Sequence, residues 1–75
     1  MTTQSTIRVL FVDDDRNFLD AVARQFHNRF ELTIAEGGAE GLQAMRSQGP
    51  FQVVVSDMRM PDMNGIQFLA RAREI

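Results

Sequence analysis

Two short apolar runs, each closed by aspartate, do most to limit what this chain can become. Ile7-Arg8-Val9-Leu10-Phe11-Val12 is apolar at five of six positions and β-branched at three, and Phe51-Gln52-Val53-Val54-Val55-Ser56 carries three successive valines. Both are too short for a helix and lack the alternation of a half-wet strand, so each reads as a strand buried on both faces. The first ends in Asp13-Asp14-Asp15 and the second in Asp57. Should these strands lie side by side and parallel, their carboxylates meet at one end of one sheet.

The segments between the runs make that arrangement the expected one. From Arg16 to Asn28, Phe18, Leu19, Val22, Ala23 and Phe26 recur at spacings of three and four, the apolar stripe of an amphipathic helix. Phe30-Glu31-Leu32-Thr33-Ile34-Ala35 alternates with period two and belongs at a sheet edge. Gly37-Gly38 breaks the chain as a turn. A helix from about Ala39 to Gln48 carries Leu42 and Met45 and stops at Gly49-Pro50. After Gly65, the residues Ile66, Leu69, Ala70 and Ala72 predict a third helix reaching the last residue. The order βαβαβα, with helical connectors, requires parallel pairing through right-handed crossovers. With the alternating strand at the edge, the strand order is 2-1-3. Winding then reverses between strands 1 and 3, and the crevice at their carboxyl ends is where open α/β sheets bind ligands. Asp13, Asp14 and Asp57 fall there.

Composition narrows the function classes. The chain has 75 residues, 44% hydrophobic and 24% charged, in the range of a globular domain. A domain this short buries only about 60% of its unfolded surface, so marginal stability is expected. It has no cysteine, which removes disulfides and thiolate metal sites and fits a reducing cytoplasm. Residues 1–6 are expected to be disordered, being polar and uncharged after Met1, and no apolar stretch is long enough for a signal peptide or a membrane span. Net charge is −2, and Arg24, Arg29, Arg71 and Arg73 are scattered rather than clustered, which argues against nucleic-acid binding by this segment.

Two carboxylates at ~4 Å repel by about 4 kcal/mol at an effective dielectric of 20. A proton or a hard cation relieves this, and magnesium suits such a position because it takes oxygen ligands and keeps several waters. A carboxylate beside the cation can act as nucleophile toward phosphorus and form an aspartyl phosphate, with the metal offsetting the charge of the incoming group. Val9-Leu10-Phe11-Val12-Asp13-Asp14-Asp15 and, more specifically, Val53-Val54-Val55-Ser56-Asp57-Met58-Arg59-Met60-Pro61-Asp62-Met63-Asn64-Gly65 resemble the amino-terminal portion of a response-regulator receiver domain, the module phosphorylated by sensor histidine kinases.

The resemblance implies an α/β, flavodoxin-like, doubly wound parallel sheet, here shortened to βαβαβα. It implies that Asp57 is the phosphoacceptor, that Asp14 ligates magnesium (Mg2+) directly, that Asp13 acts nearby, often through a water, and that Arg59 offers its backbone carbonyl rather than its side chain. It implies as partner a sensor histidine kinase or phosphotransfer protein, a cytoplasmic location, and a self-phosphorylating module rather than a turnover enzyme. The family's domain is longer. Its fourth and fifth strands, with a hydroxyl residue and a lysine that contact the phosphoryl group, and its last two helices have no counterpart in residues 1–75, which are therefore expected to form a partial receiver domain.

Competing readings exist for several residues. Asp15 is assigned as the N-cap of the first helix, because one cap needs one carboxylate. Asp13 and Asp15 also satisfy the Asp-x-Asp of haloacid-dehalogenase phosphatases formally, with Asp13 as nucleophile. A third reading is a binding or dimerisation module that accepts no phosphate. With strand 3 at the edge, the 75-residue chain is expected to form a homodimer. Asp62 and Asn64 read as turn formers before Gly65, and Met58, Met60 and Met63 as packing over the site. His27 reads as surface, and Ser56 should face away from the phosphoacceptor.

Overall fold

The computed structural model describes residues 7–75, so the expectation of disorder for residues 1–6 lies outside the described residues. The elements run β1 (Arg8–Asp13), α1 (Arg16–Phe26), β2 (Glu31–Glu36), α2 (Gly38–Gln48), β3 (Val53–Ser56) and α3 (Gly65–Ala72). The three strands form one parallel sheet in the order β2-β1-β3, as the alternation of β2 and the long connectors require. β1 pairs with β2 from Arg8↔Glu31 to Asp13↔Glu36, and with β3 from Val9↔Val53 to Val12↔Ser56.

The two faces of this sheet are covered unequally. Leu10 and Val12 of β1 and Ala35 of β2 share a buried core with Leu42 and Ala44 of α2, Met60, and Phe68 and Ala72 of α3. On the other face α1 buries Leu19 and Val22. That face stays open over β3, where Ile7, Val9, Phe11, Phe26, Phe30, Val53 and Val55 line an apolar hollow of about 380 Å³. Val53 and Val55 are 44% and 38% exposed. The expectation that β3 is buried on both faces therefore fails. Three successive valines announce two apolar faces, but only the face toward α3 is covered among the described residues.

Helix faces needed a similar correction. The stripe expected on α3 was Ile66, Leu69, Ala70 and Ala72, yet Ile66 is 66% and Leu69 40% exposed, while Phe68 has no exposed surface at all. Burial follows Gly65, Phe68 and Ala72, spaced by three and four. Gly41 of α2 lets that ring in, since a Cβ there would stand 2.7 Å from Phe68 Cε1 and 2.9 Å from Val12 Cγ2. On α1, Phe18 likewise points away from the core. α1 ends at Phe26, two residues earlier than expected, with His27 exposed at its C-cap, and α3 ends at Ala72 rather than at the last residue. α2 begins one residue earlier than expected, at Gly38, because Gly37 takes φ +105° and turns the chain into the helix.

Arg8, the one polar residue in the first apolar run, ties the amino-terminal end of the sheet together. Its guanidinium pairs with Glu31 at 3.3 Å, donates to the Pro50 carbonyl at 2.7 Å and lies 4.9 Å from the centre of the Phe51 ring.

Phe68→Ala is expected to cost about 3–5 kcal/mol, enough to unfold a domain of this size, whereas Ile66→Ala, two residues earlier on the opposite side of the helix, stays within about 0.5 kcal/mol. Urea denaturation followed by circular dichroism distinguishes this burial from the stripe expected from sequence, which would give the reverse ranking.

Candidate functional site

Parallel pairing delivers the carboxyl ends of β1 and β3 to the same place. The Asp57 amide donates to the Val12 carbonyl at 2.9 Å, continuing the ladder one step past β3 and setting Asp57 beside Asp13 and Asp14. One carboxylate oxygen from each of Asp13, Asp14 and Asp57 lies within 4.8 Å of the other two. Asp13 and Asp57 are half-buried and Asp14 is exposed. The Asp13 carboxylate accepts from the Asp15 amide at 2.9 Å, and that of Asp57 from the Met58 amide at 2.8 Å. Burial pushes the Asp13 carboxyl above the usual aspartate range; the Asp15 amide opposes this, and the charges of Asp57 and Asp14 add to it. Three convergent carboxylate oxygens with, among the described residues, no cationic side chain in ion-pair contact are a donor set that fits a hard divalent cation.

Asp15 does not join them. Its side chain accepts from the Phe18 amide at 3.2 Å and caps α1, as expected for the third member of the acidic run.

The loop from Met58 to Asn64 folds back tightly. The Gly65 amide donates to the Met58 carbonyl at 2.9 Å, and a Cβ on Gly65 would meet the Asp57 carbonyl oxygen at 2.5 Å, so only glycine allows the return. Met60 is buried and Met63 packs against the core, in line with the reading of the methionines as filler, whereas Met58 is 53% exposed. Arg59 is exposed in this loop, two residues beyond Asp57. Ser56 turns its hydroxyl onto the Asp57 carbonyl at 2.9 Å.

Asn64 and Asp62 do more than form a turn. Asn64 is the N-cap of α3, in a reciprocal capping box with Gln67, a pattern that Asn64-Gly65-Ile66-Gln67 displays in the sequence. Asp62 accepts from the Gly38 amide at 3.2 Å and from the Ala39 amide at 2.8 Å, occupying the amino-terminal end of α2. No sequence signal announces this, because the partners lie 23 and 24 residues away. The amides of Ala39 and then Gly38 hold the Asp62 carboxyl below the usual aspartate range. Asp14, Glu36, Gly37, Pro61 and Asp62 line an open cleft of about 350 Å³ beside the three carboxylates.

Residues 9–75 match the family model described as the response regulator receiver domain, and the chain belongs to that family. It is 37% identical to the probable chemotaxis protein CheY of Rhizobium etli over 97% of its own length and 57% of that protein's. Among solved structures, it resembles an adenylate cyclase from Rhodopirellula baltica (40% identity, TM-score 0.89, 93% of this chain and 52% of that one). It also resembles the chemotaxis protein CheY4 of Vibrio cholerae (30% identity, TM-score 0.86, 93% and 58%). The chain thus spans little more than half the length of each of these three. Among the described residues, no helix is long and apolar enough to cross a membrane.

Because burial raises Asp13 in the folded state, its ionised form weakens the fold. Stability from this group is complete below the unfolded value of about 3.9 and is lost as pH rises through the folded value. Asp13→Asn, which keeps an acceptor for the Asp15 amide, is therefore expected to melt at a higher temperature than the parent at neutral pH in chelator, with the gain vanishing below about pH 4. Thermal melts in EDTA across that range measure it, and a lower melting temperature at pH 7 would contradict the electrostatic account.

Proposed function

We propose that this chain is the phospho-accepting part of a two-component signalling module, with Asp57 taking a phosphoryl group from a sensor histidine kinase or phosphotransfer protein. The observation that supports this most directly is the convergence of Asp13, Asp14 and Asp57 at the carboxyl ends of β1 and β3. A carboxylate oxygen of Asp57 would attack phosphorus as the phosphorus–nitrogen bond to the donor imidazole breaks, leaving an acyl phosphate here and a histidine that takes up a proton. Asp14 and Asp57, with Asp13 close by and the backbone carbonyl of Arg59, would hold a magnesium ion. Bound there, magnesium would offset the negative charge gathered by the phosphoryl group. The protein residues hold the nucleophile still: the Met58 amide orients the Asp57 carboxylate, and the Asp15 amide orients that of Asp13. In this reading the chain switches state rather than turning over a substrate, in the cytoplasm, and binds no nucleic acid through this segment.

The phosphatase reading has less support. It needs Asp15 as a second working carboxylate, and that side chain already caps α1.

Asp57→Asn is expected to abolish phosphate incorporation from acetyl phosphate, while Asp15→Ala keeps it and loses roughly 1 kcal/mol of stability. Intact mass and mapping of the modified peptide read both. Phosphate retained in the Asp57 variant and mapped to Asp13 would overturn the assignment.

We further propose that the 75-residue polypeptide, taken by itself, pairs with a second copy through the outer edge of β3. Val53 and Val55 there flank the apolar hollow, and pairing would cover edge amides and apolar surface together. Sedimentation velocity over a hundredfold range of concentration should show a dimer that dissociates on dilution. A compact monomer at every concentration contradicts it.

A further inference from the structure

The two strands that carry the site are joined a second time, above the sheet, through Asp62. On one side, the Gly37 amide donates to the Asp13 carbonyl at 3.1 Å and fastens the β2–α2 turn to the end of β1. On the other, Met58 to Pro61 lead from Asp57 to Asp62, whose two carboxylate oxygens accept from Ala39 and Gly38, the next amides of that same turn. The path closes into a ring: Asp13, the turn 37–39, Asp62, the loop back to Asp57, and the Asp57 amide on the Val12 carbonyl. Asp62 also lines the cleft beside the carboxylates, together with Asp14.

We propose that Asp62 is a positioning residue for the cation and phosphoryl site: its carboxylate clamps the loop after Asp57 onto the start of α2 and so sets the distance of that loop from Asp13 and Asp14. The inference rests on the reading of that trio as a cation site. Two features make the clamp stiff. Both its hydrogen bonds run from helix-terminal amides to a charged acceptor, a stronger class than neutral pairs. Its neighbour Met63 packs so closely on Gly38 that a Cβ there would collide with the side chain, which fixes the same loop from its apolar side. The clamp also explains why the α2 amino terminus is no phosphate cradle in spite of Gly37-Gly38: an anion from the protein itself already sits there. Outer-shell groups that hydrogen-bond a metal's ligands typically change affinity by about ten- to a hundredfold when mutated. Asp62 acts one step further out, through the loop, so roughly the lower end of that range is expected here.

Calorimetric titration with magnesium chloride tests this on the intact chain. Asp62→Ala is expected to weaken binding on the order of tenfold. Asp62→Asn, which keeps an acceptor oxygen but no charge, should fall between it and the parent and serves as well should the alanine variant fail to fold. Asn64→Ala, which removes only the α3 cap, should lower the melting temperature and leave affinity unchanged. Parental affinity in the Asp62 variants, or equal weakening in Asn64→Ala, would overturn the proposal. An identical magnesium response in the parent and in Asp14→Asn would instead remove the cation-site reading. The clamp is then judged by amide exchange in metal-free protein: Met58 and Gly65 should exchange faster in the Asp62 variants, and unchanged rates there would refute it.

Discussion

Everything in this domain hangs on β1 being hydrogen-bonded along both edges. Parallel pairing on each side places β1 at the centre, leaves β2 and β3 as its flanks and obliges the intervening segments to cross the sheet as helices. Because the two crossovers go to opposite sides, α1 lies on one face and α2 with α3 on the other, and the winding reverses beside β1. A carboxyl-terminal crevice follows from that reversal. Had β3 paired antiparallel, Asp57 would sit at the opposite end of the sheet from Asp13 and Asp14.

The same pairing creates the electrostatic difficulty that the crevice embodies. Three carboxylates are brought together by backbone geometry, not by attraction among themselves, so the fold holds them in spite of their repulsion. Part of the relief comes from main-chain amides, with Asp15 and Met58 each donating to a member of the trio. Asp13 also holds its proton more firmly than an ordinary aspartate, chiefly because it is partly buried, with the charges of Asp57 and Asp14 adding to this. Carboxylates gathered in this way are a group that could hold a hard divalent cation.

The open face carries a different message. α1 covers β1 and β2 and leaves the valines of β3 half-exposed above a hollow without polar lining. This chain spans 52% and 58% of the Rhodopirellula and Vibrio chains, while the site's acidic residues and both strands that hold them lie within residues 8–57. Assembly of the acidic trio and coverage of the sheet are thus separable: the first is complete within three strands and the second is not.

Much of this was legible in the amino-acid sequence. Apolar runs of strand length, connectors of helix length and one alternating strand determine parallel pairing and the order 2-1-3, because few other topologies accommodate them. The aspartates at the ends of two runs then meet by necessity, and Asp15 caps because only one carboxylate can. Tertiary structure alone decided which apolar residues are covered. Phe68 is buried because Gly41 of α2 leaves space for its ring, while Ile66 and Leu69, just as apolar, face outward. The valines of β3 are half-exposed because no element among the described residues covers them, which their own sequence has no means to express. Asp62 is the clearest case. In sequence it is one turn-forming residue among several, and its role comes entirely from two amides more than twenty residues earlier, brought within hydrogen-bonding distance by the crossover over β1. Periodicity is a local property and survives in the sequence; contact between distant segments is not, and has to be folded to be seen.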